Sequence, residues 1–198
     1  YAGIAFPKRG KQSANVQISH CTLYRCTTGM DLTVISHISS TVSNSTIIAS
    51  PEENTAAIRT PKGSRNPVLF NNCRLEGGGG RAVMLEGSAA LEFVNCTFTT
   101  SNSSAYAVEV TGSGSLFLEQ CAFENQTRHV SVGKDVVTAH ILGCTYPDKA
   151  DIYLDKNTGL KVTVDHTPLH LPVQSGLAHT YKKTLPQPAS RYVYYMLD

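Results

Sequence analysis

The stretches LEFVNCTF (91–98) and LFLEQCAF (116–123) share one pattern, in which alternating apolar residues lead to a polar residue, a cysteine and, two positions later, a phenylalanine. Alternation with a period of two indicates a strand with one buried face. The same motif recurs in five further segments: VQISHCTL (16–23), SSTVSNSTI (39–47), VLFNNCRL (68–75), AHILGCTY (139–146) and KVTVDHTPL (161–169). A repeat of this kind predicts a solenoid.

The cysteine position defines a marker column whose members lie 23 to 28 residues apart: Cys21, Ser45, Cys73, Cys96, Cys121, Cys144 and Thr167. This spacing allows one coil of three short strands per repeat. Leucine-rich repeats fall in the same range, but their L-x-x-L-x-L-x-x-N pattern is absent and no segment shows helical periodicity. The sequence therefore predicts an all-β solenoid of about seven coils over residues 1–170, followed by an extended tail at 171–198 that covers the end or serves assembly.

A second strand precedes each motif and also alternates: GIAF (3–6), GMDL (29–32), AIRT (57–60), AVML (82–85), AVEV (107–110), HVSV (129–132) and DIYL (151–154). Its apolar positions, such as Met30 and Leu32 or Val83 and Leu85, are expected to stack as two ladders along the axis. Each coil then buries its apolar residues only against the coils above and below it. The first coil is expected to be covered by a preceding region or a partner chain.

A sharp corner is expected just before each marker residue, at His20, Asn44, Asn72, Asn95, Gln120, Gly143 and His166. Asn, His and Gly are enriched in the left-handed backbone conformation that such a corner needs. The marker side chains are small, and a large apolar column follows two positions later, from Leu23 to Leu169. Small and large inward residues thus alternate, as close packing of a narrow interior requires.

The pattern apolar-x-apolar-x-Asn-Cys-x-apolar, preceded by Gly-apolar-x-apolar, resembles the right-handed parallel β-helix repeat of the pectin-lyase-like superfamily. The resemblance covers roughly residues 3–170. In that superfamily the strands are named PB1, PB2 and PB3, the Asn-rich corner lies between PB2 and PB3, and ligands lie along PB1, which here is GMDL and its equivalents. The fold is shared by lyases, hydrolases, phage tailspikes, adhesins, viral capsid proteins and scaffolds, so it leaves the activity open.

The outward PB1 positions are where chemistry is expected. The central outward column is predicted to be Ala5, Asp31, Arg59, Met84, Glu109, Ser131 and Tyr153, with neighbours about 4.8 Å apart. A second outward column is predicted two residues earlier on each PB1 strand, and it consists of Gly29, Ala57, Ala82, Ala107, His129 and Asp151.

Asp31 and Arg59 are candidate catalytic residues, because an arginine beside a carboxylate on PB1 is similar to the arrangement in pectate lyases. The alternative, which the residues favour, is a plain cross-strand ion pair. The acidic cluster that calcium needs is missing, so no cofactor or metal is expected.

Glu86 and Glu109 are the other catalytic candidates. They lie on neighbouring rungs with a predicted separation of roughly 6 to 9 Å, which suits an inverting glycosidase. Exposed glutamates that serve only solubility remain the alternative. His129 is a candidate acid, base or substrate-binding residue at a strand edge, and Tyr153 is a candidate substrate-binding residue.

The loops after PB1 carry a basic stripe, in which Lys62 and Arg65 are candidate substrate-binding residues. Its members are Lys8, Arg9, Lys11, Lys62, Arg65, Lys134 and Lys156. Such a stripe attracts an anionic polysaccharide or the acidic surface of a partner, although basic turns are also ordinary solvation. The remaining loops are short except for IASPEENTA (48–56), which predicts a shallow groove.

Composition excludes several classes. A net charge of +2 and the absence of a basic, aromatic-rich cluster argue against nucleic-acid binding. The sequence contains no run of 18 apolar residues, so it predicts no membrane-spanning helix. None of the six cysteines forms C-x2-C, which gives zinc little support, and free thiols are expected. Sequons at Asn44, Asn95, Asn102 and Asn125 point weakly to an extracellular or virion-surface location.

Two functions follow. One is a carbohydrate-interacting β-helix, as in a polysaccharide lyase, a glycoside hydrolase or a tailspike. The other is a non-catalytic capsid, fibre, adhesin or scaffold component. The partners expected are a polysaccharide or further copies of the chain, as a homotrimer.

Overall fold

A computed structural model of the chain describes residues 2–5, 16–32, 40–65, 67–124, 128–155, 162–165, 167–169 and 179–183, the last two ranges as backbone only. Every regular element in these ranges is a short strand. In chain order the strands are β1 (Ala2–Ala5), β2 (Gln17–Ser19), β3 (Thr22–Cys26), β4 (Thr28–Asp31), β5 (Ser40–Ser43), β6 (Thr46–Ala49), β7 (Ala56–Thr60), β8 (Pro67–Asn71), β9 (Arg74–Glu76), β10 (Arg81–Leu85), β11 (Ala90–Val94), β12 (Thr97–Thr99), β13 (Val108–Val110), β14 (Ser115–Glu119), β15 (Ala122–Glu124), β16 (Val130–Val132), β17 (Thr138–Leu142), β18 (Ala150–Leu154), β19 (Val162–Val164), β20 (Thr167–Leu169) and β21 (His179–Lys183). Within the described ranges, no helix has the length and apolar character needed to cross a membrane.

Three sheets run along the axis. The PB1 sheet has the order β1-β4-β7-β10-β13-β16-β18-β21, the PB2 sheet β2-β5-β8-β11-β14-β17-β19-β20, and the PB3 sheet β15-β12-β9-β6-β3. Each strand pairs in parallel with the equivalent strand of the next coil, except for β20 and β21. The chain is therefore an all-β parallel solenoid of about six turns, close to the seven coils predicted.

The core is a column of stacked side chains. The predicted inward PB1 residues of the central coils, from Met30 to Leu154, are buried. Phe93 stacks on Phe70 with ring centroids 4.8 Å apart, and Phe98 lies 5.3 Å from Phe93 and 5.1 Å from Phe123. The aromatic rings thus pack on one another both between neighbouring strands of one sheet and across the interior between two sheets.

Six of the seven predicted corners have the left-handed backbone. The φ angles are 55° at His20, 48° at Asn44, 52° at Asn72 and Asn95, 51° at Gln120 and 60° at Gly143. Asn72 also donates its side-chain amide to Asn44 Oδ1 at 2.7 Å, which links two successive corners. The residue types at these positions are therefore restricted by the left-handed backbone conformation that the corner needs.

The seventh repeat differs from its prediction. The left-handed residue is Asp165, with φ 44°, one position before the predicted His166, which lies outside the described residues. The Asp165 carboxylate accepts the Gly143 N–H at 2.8 Å, so the corner closes one residue early. The chain then reverses, and β20 pairs antiparallel with β19. Thr167 and Leu169 therefore lie in a hairpin and do not form a seventh PB3 strand.

The predicted C-terminal tail contributes one described element. Strand β21 runs antiparallel beside β18, with Ile152 opposite Tyr181. It pairs with the outer edge of the last parallel PB1 strand.

Candidate ligand-binding face on the PB1 sheet

One outward side chain per coil forms a straight column on the PB1 sheet. The strand pairing aligns the residues as predicted, in the order Ala5, Asp31, Arg59, Met84, Glu109, Ser131 and Tyr153. The next outward position beyond the strand ends carries Glu86. The chemistry of this face is therefore set by a few side chains at a strand spacing of about 4.8 Å.

Arg59 forms an ion pair with Glu86, on the next coil. Its Nε donates to Glu86 Oε2 at 2.9 Å, and the side chains are 38% and 25% exposed. Asp31 faces Arg59 from the preceding coil, in the register that the sequence predicted. Ion pairs with this exposure contribute about 0–1 kcal/mol, so the pair positions side chains more than it stabilises the fold.

Arg81 and Glu109 form a second ion pair, one coil further along. Each of the two glutamates proposed as an acid–base pair therefore faces its own arginine. Inverting glycosidases require one carboxylic acid held in its protonated form, which apolar surroundings favour. Among the described residues, no group of three or more His, Cys, Asp and Glu side chains is placed to hold a metal ion.

Two tyrosines and an arginine gather at the C-terminal half of the face. The rings of Tyr106 and Tyr153 lie 5.9 Å apart although their coils are two strands apart, a distance of about 9.6 Å. The rings therefore approach each other across the intervening coil, in which Ser131 is buried. The Arg128 guanidinium lies 5.5 Å from the centre of the Tyr106 ring, and this group is named the tyrosine cluster below.

His129 does not lie on the outward face, contrary to the prediction. It is 1% exposed, its Nδ1 accepts the Asp151 N–H at 2.8 Å, and its ring packs 4.8 Å from Tyr146. The predicted outward residues of the same column are buried as well: Gly29, Ala57, Ala82, Ala107 and Asp151. The reason is the corner before PB1, where consecutive residues at the start of the strand turn inward, as in the burial of Ala56, Ala57 and Ile58 in β7.

A comparison with protein families shows that the family model described as "Right handed beta helix region" matches residues 57–166, which is more than half of the chain. The chain belongs to this family. The match agrees with the resemblance to the pectin-lyase-like superfamily that the repeat carries. Neither the curated proteins nor the solved structures gave a match.

Lys62 and Arg65 lie in the loop after β7 on this β-helix, and both are exposed. Lys134 is exposed in the corresponding loop after β16. These charges border the PB1 face at its edge. The other members of the predicted basic stripe, Lys8, Arg9, Lys11 and Lys156, lie outside the described residues.

Sequence reasoning missed Arg81, Tyr106 and Arg128. They occupy equivalent positions, three residues before Met84, Glu109 and Ser131 of the central column. In a β-helix the chain arrives at PB1 through a corner, so strict alternation fails there and a residue three positions back faces outward again. Extending the repeat alignment by three residues would have revealed this column.

Proposed function

We propose that the chain is the β-helix module of a carbohydrate-binding protein, and that a glycan lies along the PB1 face. The tyrosine cluster carries the proposal. A sugar ring has an apolar C–H face and a rim of hydroxyl groups, which an aromatic ring and nearby charged side chains complement. Tyr106 and Tyr153 supply the rings, and Arg128 supplies hydrogen-bond donors beside them.

The ion pairs extend the same surface towards the N-terminal coils. Arg59 with Glu86, and Arg81 with Glu109, present donors and acceptors at fixed positions, since each pair holds both of its side chains. The column follows the solenoid axis, so successive sugars of one chain can contact successive coils. A polymer suits this shape better than a single sugar ring.

Glycan binding is tested by calorimetric titration of acidic polymers (polygalacturonate and alginate) and neutral glucans and mannans. Tyr153→Ala and Tyr106→Ala are each expected to weaken binding about fivefold, the loss of one aromatic contact. The matched control is Phe117→Ala, because Phe117 is a partly exposed aromatic residue on the PB2 sheet. Equal losses in all three variants, or no binding of any polymer, would contradict the proposal.

A glycan bound on the PB1 face could also be cleaved there, and this is tested separately from binding. We expect binding without turnover, because each carboxylate of the predicted acid–base pair is engaged by an arginine. The measurement is the release of reducing ends and unsaturated products from the same polymers. Products that disappear in Glu109→Gln and Arg59→Ala would instead establish a lyase or hydrolase.

A second candidate function, assembly of identical subunits, is favoured by the PB2 sheet. Its outward side carries partly exposed apolar residues in register, including Leu69 and Phe117, which flank Glu92. Phe117 also stacks on His140 at 5.3 Å. Light scattering after size exclusion would detect a trimer, and a monomer at all concentrations would contradict this candidate.

A further inference from the structure

The PB3 face contains a concavity. Its volume is about 410 Å³, within the range of small-molecule sites. The floor is formed by Ile48, Ala49 and Thr99, and the walls include Tyr24, Arg25 and Glu76. The cavity is therefore bounded on one side by the first PB3 strand, β3.

A β-bulge in β3 shapes this wall. Tyr24 pairs with Ile48 and Cys26 pairs with Ala49, so Arg25 is an extra residue without a partner in the ladder. Bulges of this kind re-aim a side chain and are frequent beside functional sites.

Arg25 has a φ of 55°. Among the described non-glycine residues with positive φ, it is the one that lies inside a strand, whereas the others lie at corners or turns. A strained residue within a strand must be held by its surroundings. Here the strain places an arginine and a tyrosine at the rim of a cavity.

The side chains at the rim form an amphipathic pair. Tyr24 is 60% exposed, and the Arg25 guanidinium lies 5.3 Å from the centre of its ring. Glu76 lines the cavity two coils away, and it is held by Arg74 at 3.5 Å. One positive and one negative group therefore face the same space as an exposed aromatic ring.

The remaining lining comes from three loops, at 50–55, 77–80 and 100–101, which are hydrogen-bonded to one another. Thr55 Oγ1 lies 2.8 to 3.2 Å from the carbonyl oxygens of Ser50, Glu52 and Gly77. Thr100 donates its hydroxyl to Gly80 O at 2.7 Å. This lining is therefore fixed before any ligand arrives, which lowers the entropic cost of binding.

We infer that this cavity binds a neutral mono- or disaccharide. The apolar face of the sugar stacks on Tyr24, while Arg25 donates to ring or hydroxyl oxygens and Glu76 accepts from hydroxyl groups. A uronic acid or a sulfated sugar fits less well, because its charge would meet the Glu76 carboxylate. The cavity lies on a different sheet from the tyrosine cluster, so either site can bind a sugar without the other.

The test is a saturation-transfer NMR titration of the wild-type chain. The probes are the methyl glycosides of glucose, galactose and mannose, together with maltose and cellobiose. Tyr24→Ala and Arg25→Gly are each expected to weaken binding about fivefold. Neither variant disturbs the core, because Tyr24 is exposed and glycine accepts the positive φ of position 25 without strain.

Two controls test whether the signal comes from this site. Tyr24→Phe keeps the ring and is expected to retain binding, and Phe117→Ala removes a partly exposed ring on the PB2 sheet, outside both proposed sites, and is expected to leave the small-sugar signal unchanged. The inference is overturned if none of the five probes binds, or if Tyr153→Ala abolishes the signal while Tyr24→Ala and Arg25→Gly retain it. A surface that instead contacts another protein would also give no signal with any of these sugars.

Discussion

The thiols at the corners behave as small apolar side chains. Cys73, Cys96, Cys121 and Cys144 are buried free thiols at consecutive coils, and Cys96 Sγ donates to Val94 O at 3.4 Å. The hydrogen bond with the Cys121 thiol, together with burial, raises the pKa of Cys96 to about 12. The hydrogen bond with Cys144 and burial likewise raise the pKa of Cys121. Cys96 and Cys121 therefore stay protonated at neutral pH and do not act as nucleophiles.

A raised thiol pKa predicts that stability falls at alkaline pH. Above about pH 8.5 the Cys96 thiol loses its proton in the unfolded chain but keeps it in the folded chain. The contribution of Cys96 is thus complete below about pH 8.5 and is lost as the pH rises towards 12. Cys96→Ala is expected to flatten the decline by about 1.4 kcal/mol per pH unit.

The measurement is urea unfolding under reducing conditions between about pH 7.5 and 10.5. Ser45→Ala is the matched control, because Ser45 occupies the same corner column without a titratable group and bonds to Ser43 O at 2.8 Å. It is expected to lower stability equally at every pH. An unchanged slope in Cys96→Ala would show that the buried thiols do not govern the alkaline decline.

At the scale of single elements, the glycine run 77–80 is explained by close contact between two loops. A Cβ at Gly79 would collide with the carbonyl oxygen of Pro51, and one at Gly80 would collide with that of Thr55. The loop that contains residues 50–55 and the glycine run therefore pack backbone against backbone. No side chain fits between them.

Gly79→Ala is expected to cost about 3 kcal/mol, because backbone atoms cannot move aside as a flexible side chain could. It should also abolish sugar binding in the PB3 cavity, whose wall these loops form. The comparison is Gly63→Ala, where no atom lies within 4 Å of the added methyl group and the cost comes from a φ of 91°. That cost is about 1–2 kcal/mol.

Both variants are compared by urea unfolding. Equal destabilisation would mean that the loops are free to separate, and the cavity would then lack a fixed wall.

The elements that the sequence predicted best are those repeated in every coil. Asn72 and Asn95 were found because their backbone conformation restricts the residue type, and Leu85 and Val110 because alternation follows burial. His129 was placed wrongly because a corner interrupts the alternation.

The bulge at Arg25 was missed for a related reason. It adds one residue to a single strand, and a repeat alignment treats such an addition as loop variation. The ion pair of Arg59 with Glu86, and the approach of Tyr106 to Tyr153, depend on rotamers that reach across coils. A linear pattern does not encode these contacts.

At the scale of the whole molecule, stability is transmitted from coil to coil. Phe93 lies in β11, the fourth strand of the PB2 sheet, and contacts Phe70 on one neighbouring strand and Phe98 across the interior. Solenoids gain their stability from such nearest-neighbour contacts. A break in the middle of the column should therefore uncouple the coils on either side.

Phe93→Ala is expected to lower the free energy of unfolding by about 3–5 kcal/mol. It should also split one unfolding transition into two, since the coils on either side of the gap no longer unfold together. Urea titration followed by hydrogen exchange would show which strands open first. Phe117→Ala removes the same side chain from the outward face and should cost less than about 1 kcal/mol with a single transition. A single transition in Phe93→Ala would indicate that the backbone ladders alone couple the coils.

The reversed strands β20 and β21 restrict how this chain could grow by gene duplication. Solenoids lengthen when a coil is copied, and a copied coil needs a neighbour that runs in its own direction. After β19 and β18 the neighbouring strands run the opposite way, so a copy placed there would meet the wrong hydrogen-bond pattern. A tandem copy of residues 73–95 inserted between existing coils would instead have neighbours that run in its own direction, and it would form the parallel hydrogen-bond pattern with both. It would extend the PB1 face by about 4.8 Å, room for a further part of a glycan, with both ends unchanged.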